Sequence, residues 1–291
     1  MGYYQNKYKD AEADRTVPRK LLNIPDNVSS YPHTQLKTHP NGRKVAFVMN
    51  KNGLWKVKLY DKSSKKEVTI FTGGKHEGYQ AINYDYPVLA WEPKGRNIGV
   101  VYFEKGKTRL VKLDNGGKIT DRFILPASID QVLSYDFADN NTLLLSAIKN
   151  GQTDLYLYNL VSNELTQLTD DIYDDLWPRF NDDQSKIIFS SNRPYDTLHF
   201  EGTYFETLSQ ESNFDVFMYD YPVRSNLLKR ITNTPYVNEI QPVFYLPGYY
   251  SFVSDISGIY NAYACKDTIG FLYARVIINK ANGKNDTIIS K

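Results

Sequence analysis

A turn-and-strand pattern recurs five times along this chain of 291 residues. Each copy has an anchor residue that is usually apolar, a turn rich in Pro, Asn, Asp or Gly, and a run of β-forming residues. The anchors lie 53, 46, 43 and 64 positions apart, and internal spacing of this order is typical of repeat architectures. The copies are THPNGRKVAFV (38–48), WEPKGRNIGVV (91–101), FADNNTLLLSA (137–147), FNDDQSKIIFS (180–190) and FYLPGYYSFVS (244–254).

A second pattern follows each copy about ten residues later. Large apolar residues alternate in it with smaller or polar ones, which is the period of two expected of a strand. A third, weaker element such as EVTIFTGG, ELTQLTDD or LLKRITNT often closes the unit. Each unit therefore predicts four consecutive strands. The second-pattern segments are LWKVKLYD (54–61), TRLVKLD (108–114), DLYLYNL (154–160), DVFMYDY (215–221) and GIYNAYA (258–264).

A single four-stranded sheet cannot bury both of its faces, whereas similar sheets stacked around an axis can. The sequence therefore predicts an all-β fold, a β-propeller of four-stranded antiparallel blades. A β-sandwich is the competing fold, and the matching turn positions of the five units favour the propeller. Residues 1–30 are predicted to end in a strand of a preceding or closing blade, and residues 31–291 to form blades whose units start near 31, 85, 131, 175 and 238. The anchors Trp91, Phe137, Phe180 and Phe244 should occupy equivalent positions between neighbouring sheets.

These units resemble the WD-type repeats of TolB. Those repeats combine an apolar residue, a Ser-Pro-Asp-Gly-Lys turn, an apolar run, Ser-Asn-Arg-Asp-Gly and an Asp-Ile-Tyr-like strand. The most similar stretch here is PRFNDDQSKIIFSSNR followed by FDVFMYD, and the resemblance covers about residues 31 to 265. The Pro-Asp-Gly turn is degraded in the third and fourth units, and the fifth reads LPGYY. TolB-like propellers have six blades and peptidase-linked ones seven or more, so the resemblance implies that the five units belong to a six- to eight-bladed ring.

Six aspartates lie close together between the third and fourth units. A calcium site would need oxygen ligands at fixed positions, as in a DxDxDG loop, and that spacing is missing. Asp and Asn stabilise tight turns, so we interpret these residues as turn and connection residues and predict no metal site. They are Asp170, Asp171, Asp174, Asp175, Asp182 and Asp183.

The motifs of several enzyme classes are missing from the sequence. Gly-x-Ser-x-Gly, HExxH and GxxxxGK[ST] do not occur, and Cys265 has no patterned partner. We interpret His33 and His39 as surface residues. The sequence therefore predicts a chain that is not an enzyme and has no cofactor. The 35 basic and 33 acidic residues nearly cancel, which argues against nucleic acid, and no apolar run is long enough for direct membrane insertion.

The resemblance implies a non-catalytic protein-protein interaction platform of the bacterial envelope, periplasmic or bound in the envelope, with envelope proteins as partners. No signal peptide is evident in the chain. The alternative is the propeller portion of a prolyl-oligopeptidase-like or other peptidase whose catalytic domain is not in this chain. A carbohydrate-binding or lyase propeller is weaker, because the four histidines are scattered.

An insertion at residues 195–213 lengthens the fourth unit, and we predict that it is an interaction loop. Long loops within compact repeats are often functional, although a lid that packs on its own blade is the alternative. Its candidate binding residues are Tyr195, His199, Phe200, Tyr204 and Phe205.

Overall fold

The computed structural model describes residues 33–75, 83–198, 213–221 and 223–266, together with the backbone of two later strands. All of the regular structure in these residues is β. The first two sheets are four-stranded antiparallel meanders. They comprise β1 (His33–Thr38), β2 (Lys44–Lys51), β3 (Leu54–Asp61) and β4 (Lys66–Gly74), then β5 (Val88–Trp91), β6 (Asn97–Glu104), β7 (Lys107–Asp114) and β8 (Ile119–Ile124).

The remaining strands continue the same up-and-down order. The third and fourth sheets have four strands each, the fifth has three, and β20 pairs with β21. They comprise β9 (Gln131–Phe137), β10 (Thr142–Lys149), β11 (Gln152–Asn159), β12 (Leu165–Gln167), β13 (Asp175–Phe180), β14 (Lys186–Ser191), β15 (Asp215–Asp220), β16 (Lys229–Arg230), β17 (Glu239–Leu246), β18 (Tyr249–Ser254), β19 (Asn261–Lys266), β20 (Tyr273–Ile278) and β21 (Asn285–Ser290).

The apolar core lies between the blades. One cluster joins the first two blades through Val48, Val57 and Trp91, and the next joins the second and third through Val101 and Phe137. Two further clusters join the third blade to the fourth and the fourth to the fifth. Consecutive sheets thus bury their facing surfaces against one another, which confirms the predicted all-β propeller of antiparallel blades.

The repeat register is also as predicted. The anchors pair in the same way with the next strand: Trp91 with Ile98, Phe137 with Leu143, Phe180 with Ile187 and Phe244 with Tyr250. Trp91 and Phe137 are buried, whereas the other two anchors are half-buried against inter-blade clusters. The anchor position is therefore equivalent in four units, but its degree of burial differs.

The interpretation of His39 as a surface residue is wrong. Its side chain is buried, its ring lies 4.6 Å from the ring of Trp91, and its Nε2 is 2.9 Å from the carbonyl oxygen of Gly95. A Cβ at Gly95 would lie 2.3 Å from this ring, so the glycine is needed for the contact. His33 is half-buried, with its ring 5.4 Å from that of Phe47. His39 is packed because the first blade abuts the second, whereas His33 packs against Phe47 of its own blade.

Residues 1–32, and with them the strand predicted at the end of residues 1–30, lie outside the described residues. The number of blades beyond five therefore stays a prediction. No helix long and apolar enough to cross a membrane occurs in the part of the chain that the structure describes.

Candidate functional site at the mouth of the central cavity

The innermost strands of all five blades surround one cavity of about 1340 Å³. Its wall also includes the turns that follow these strands, and we call this turn-lined end of the cavity its mouth. The strands are β1, β5, β9, β13 and β17, and β1 contacts β5, β5 contacts β9, β9 contacts β13, and β13 contacts β17.

Three of these strands carry a one-residue β-bulge at the same place. The residues at the bulges are Gln35, Trp177 and Gln241, with φ values of 55°, 51° and 54°. A left-handed conformation is uncommon for residues other than glycine, and a bulge bends the strand and re-aims the side chains after it. The bulges therefore set the direction of the residues just before the anchors.

The residue before each anchor forms an equivalent position in the five blades. Its cross-strand partners follow the same register in every sheet. Three of the five residues are charged and line the cavity, one is an exposed apolar residue, and one is a buried alanine. They are Lys37, Asp136, Arg179, Val243 and Ala90.

The three charged residues of this position interact electrostatically. Arg179 Nη1 lies 2.9 Å from Asp136 Oδ1 in an ion pair between neighbouring blades. Lys37 is half-buried and makes no ion pair with any residue that the structure describes. Burial, together with the charge of Arg179 and against the opposing charge of Asp136, lowers the pKa of Lys37 to about 7. The trio has one net positive charge whenever Lys37 is protonated.

The other charges around the cavity are already satisfied or exposed. Glu92 is buried and pairs with Lys112 Nζ at 3.0 Å, and it accepts a hydrogen bond of 2.9 Å from Asn97 Nδ2. Asp139 accepts hydrogen bonds from the backbone N–H groups of the following turn. Lys94 and Asp182 are exposed. Among the described residues that line the cavity, the only charged side chains on inner strands are therefore those of the trio.

A buried ionic network joins the third and fourth blades away from the cavity. The Arg193 guanidinium is almost completely buried, and its Nη2 lies 2.7 and 2.8 Å from the two oxygens of Asp175. Its Nη1 lies 2.9 Å from Asp171 Oδ2. Burial opposes the charge of Arg193, but the two carboxylates more than offset it and raise its pKa. Burial, followed by the charge of Asp175, raises the pKa of nearby Asp154 to about 7.

The next blade junction has an equivalent pair of acidic residues with a different arginine contact. Asp215 occupies the position of Asp154 and pairs with Arg230, and Glu239 occupies the position of Asp175. Thr232 donates to Asp215 as Thr169 donates to Asp154. Burial, followed by a hydrogen bond with Asp215, raises the pKa of Glu239 to about 7. The acidic pair recurs at both junctions, whereas the arginine binds a different member of the pair in each, and we assign both networks to blade packing.

The aspartates have the structural role that the sequence predicted, with one addition. Asp183 accepts a hydrogen bond of 2.9 Å from the backbone N–H of Ser185, and Asp182 lies in the same turn. Asp171 and Asp175 instead bind Arg193. No group of three or more His, Cys, Asp or Glu side chains suited to a metal ion occurs among the described residues.

The structure tests little of the predicted interaction loop. His199, Phe200, Tyr204 and Phe205 lie outside the described residues, and Tyr195 is half-buried. The first residues of the insertion pack on the fourth blade, because Thr197 bridges Leu227 and Leu198 is buried in the core between the third and fourth blades. Any partner contact made by this loop stays a prediction.

Sequence reasoning missed the Lys37, Asp136 and Arg179 trio. The signal was present, because each residue comes one position before a repeat anchor. Their convergence depends on five strands meeting around one axis, which no single unit reveals. The repeat register together with strand alternation could have found them.

Comparison with solved structures supports the fold. TolB from Acinetobacter baumannii matches with a TM-score of 0.59 and 14% identity, over 81% of this chain and 52% of that chain. A putative TolB from Agrobacterium tumefaciens matches with a TM-score of 0.55 and 15% identity, over 89% and 81%. A puromycin-hydrolysing peptidase from Mycobacterium tuberculosis matches with a TM-score of 0.53 and 9% identity, over 88% and 38%.

This chain thus spans about half the length of the first of these structures. No family model matches it, and no curated protein matches it in sequence. Both TolB structures agree with the arrangement of antiparallel blades seen here. The chain has a TolB-like β-propeller fold.

Proposed function

We propose that this propeller is a non-catalytic platform that binds an envelope protein at the mouth of its central cavity. The observation that carries this proposal is a cavity lined by exposed apolar side chains. Leu36 is 59% exposed, Tyr245 is 64% exposed and Val243 is 38% exposed, and all three line the same wall. Exposed apolar groups that are gathered at one place mark interaction sites.

The cavity wall has the composition expected of a binding hot spot. Trp, Tyr and Arg dominate such sites, and Trp177, Tyr245 and Arg179 all line this cavity. The rigid inner strands hold these residues, so little ordering would be needed on binding. The TolB-like fold supports an envelope location, and the partner would be another envelope protein.

The test is capture of a partner by the immobilised chain from an envelope extract, followed by binding of the purified partner. The variant Leu36→Ser/Tyr245→Ser removes two exposed apolar groups and should leave folding unchanged. We expect it to weaken binding at least tenfold. The control Val68→Ser/Ile124→Ser removes exposed apolar groups of similar size from outer strands. Equal loss in both variants, or in neither, would contradict the assignment of the cavity mouth.

The predicted loop is a second candidate contact in the same proposal. Replacing residues 199–212 by a short Gly-Asn linker spares Leu198 and the bridge between Thr197 and Leu227. We expect the blade to fold and partner binding to weaken. Unchanged binding of the purified partner would restrict the platform to the cavity mouth.

The alternative is that the chain is the propeller portion of a peptidase. The match to the Mycobacterium tuberculosis peptidase favours it at the level of fold. The coding sequence around this chain distinguishes the two proposals. A Gly-x-Ser-x-Gly motif followed by Asp and His in the same reading frame would favour the peptidase.

A further inference from the structure

We propose that Lys37 and Arg179 form a subsite for the carboxylate of an acidic peptide residue that is flanked by a large apolar residue. This inference rests on the proposed platform and names the chemistry that the platform recognises. Both side chains line the cavity, and they occupy equivalent positions on β1 and β13.

The charge balance of the cavity favours an anion. Asp136 forms an ion pair with Arg179 at 2.9 Å, whereas Lys37 has no ion pair among the described residues. Partial burial makes the uncompensated ammonium costly, so a carboxylate that enters the cavity would be stabilised by both cations. The oxygens of this carboxylate would also take the place of the water molecules that the Lys37 ammonium loses on partial burial.

The pKa of Lys37 supports this chemistry. Its value of about 7 reflects burial and the repulsion of Arg179 in a cavity that also contains Asp136. An added negative charge would favour the protonated amine and raise this pKa. The other charged groups of the wall are paired, hydrogen-bonded in turns or exposed: Glu92, Lys94, Asp139 and Asp182.

The apolar residues that line the cavity with Lys37 and Arg179 favour a peptide ligand over a small anion. Leu36 precedes Lys37 and is exposed into the same cavity, and Val243 and Tyr245 complete the apolar wall on the fifth blade. A cavity of about 1340 Å³ accommodates several residues of an extended chain. An acidic residue beside Leu, Tyr or Phe would meet both the cationic pair and this wall.

The test follows the amine of Lys37 directly. Lysines are reductively dimethylated with ¹³C, which keeps their charge, and the signal that disappears in Lys37→Arg identifies Lys37. The pH titration is then repeated with the peptide Ac-Gly-Tyr-Glu-Leu-Gly-NH₂, with its Glu→Gln counterpart, and with sodium propionate. We expect the glutamate peptide to raise the pKa of Lys37 by about 1 and the glutamine peptide to leave it unchanged.

Two variants separate the cation pair from general charge effects. Arg179→Gln/Asp136→Asn removes the ion pair without leaving a buried charge, and it should weaken binding of the glutamate peptide at least tenfold. Lys66→Gln removes an exposed charge from the outer strand β4 and should change binding less than twofold. Circular dichroism and the unfolding midpoint establish that each variant is folded.

The outcomes are distinct. No response of Lys37 to 10 mM glutamate peptide, or an equal response to the glutamine peptide, would overturn the subsite. A propionate response as strong as that of the glutamate peptide would overturn the peptide assignment. If Leu36→Ser/Tyr245→Ser loses the envelope partner while Lys37→Met keeps it, the platform stands and the subsite is wrong. If the glutamate peptide binds but no envelope protein is captured, the platform is wrong and the subsite stands.

Discussion

Replacing Arg193 by methionine should be among the most destabilising single changes in the chain. The guanidinium is almost completely buried. It binds both oxygens of Asp175 at 2.7 and 2.8 Å and Asp171 Oδ2 at 2.9 Å. It also donates to Ser191 Oγ at 2.9 Å. Methionine fills similar apolar volume but leaves two carboxylates without their cation, and breaking a buried pair in this way costs about 3–5 kcal/mol of unfolding free energy.

The loss should depend on pH. Burial raises the pKa of Asp171, and the charge of Arg193 opposes this rise. Without Arg193 the folded-state pKa of Asp171 rises further above its value in the unfolded chain, so the folded state binds more protons at any pH between these two pKa values. Stability of the variant therefore falls as the pH rises through this window and recovers on acidification. The difference in unfolding free energy between the variant and wild type should therefore be smaller at pH 5 than at pH 7. Each unpaired carboxylate contributes up to about 1.4 kcal/mol to this change for each pH unit.

Urea unfolding at pH 5, 6 and 7 measures both effects. Arg122→Met, on the exposed face of β8, is the matched control and should cost little. The double variant Arg193→Met/Asp175→Asn should recover part of the loss, because it removes one unpaired charge. A loss below 1 kcal/mol at pH 7, or an equal loss at pH 5, would refute the assignment of Arg193 as the charge partner of these aspartates.

Three further results are expected. The pKa of Asp154 is raised to about 7, so wild type should gain stability from pH 7 to pH 5 and Asp154→Asn should flatten this dependence in urea titrations; an unchanged slope would contradict it. Phe137→Ala should cost about 3–5 kcal/mol and Phe180→Ala less, because only the first anchor is fully buried; equal unfolding midpoints for the two would count against the inter-blade core. Dialysis against EDTA should leave the melting temperature unchanged, and a clear drop would indicate a structural metal.

The blade pattern was readable from the sequence because it depends on local features. Turn residues and alternation mark each strand, and the anchors Trp91 to Phe244 follow from the repeat spacing. The bulges were not readable, since Gln35, Trp177 and Gln241 adopt positive φ without a glycine to signal it. Strand register and tertiary packing determine their conformation.

Contacts between blades were the other part that the sequence did not reveal. Asp171 and Asp175 looked like turn residues because their partner, Arg193, lies beyond the next two strands of the repeat. The burial of His39 similarly needs Gly95 and Trp91 from the second blade. These pairings depend on how sheets stack, and a unit considered alone does not contain that information.

The position before each anchor has a consequence for how such a protein can change over evolution. Lys37, Asp136, Arg179 and Val243 line the cavity and belong to none of the inter-blade apolar clusters, whereas the anchors Phe137, Phe180 and Phe244 pack in or against those clusters. Substitutions at these sites can therefore change the charge and shape of the cavity while the blades keep their packing. Gene duplication and drift at a handful of codons could produce propellers of one architecture with unrelated specificities, and low overall identity between them would carry little information about what each one binds.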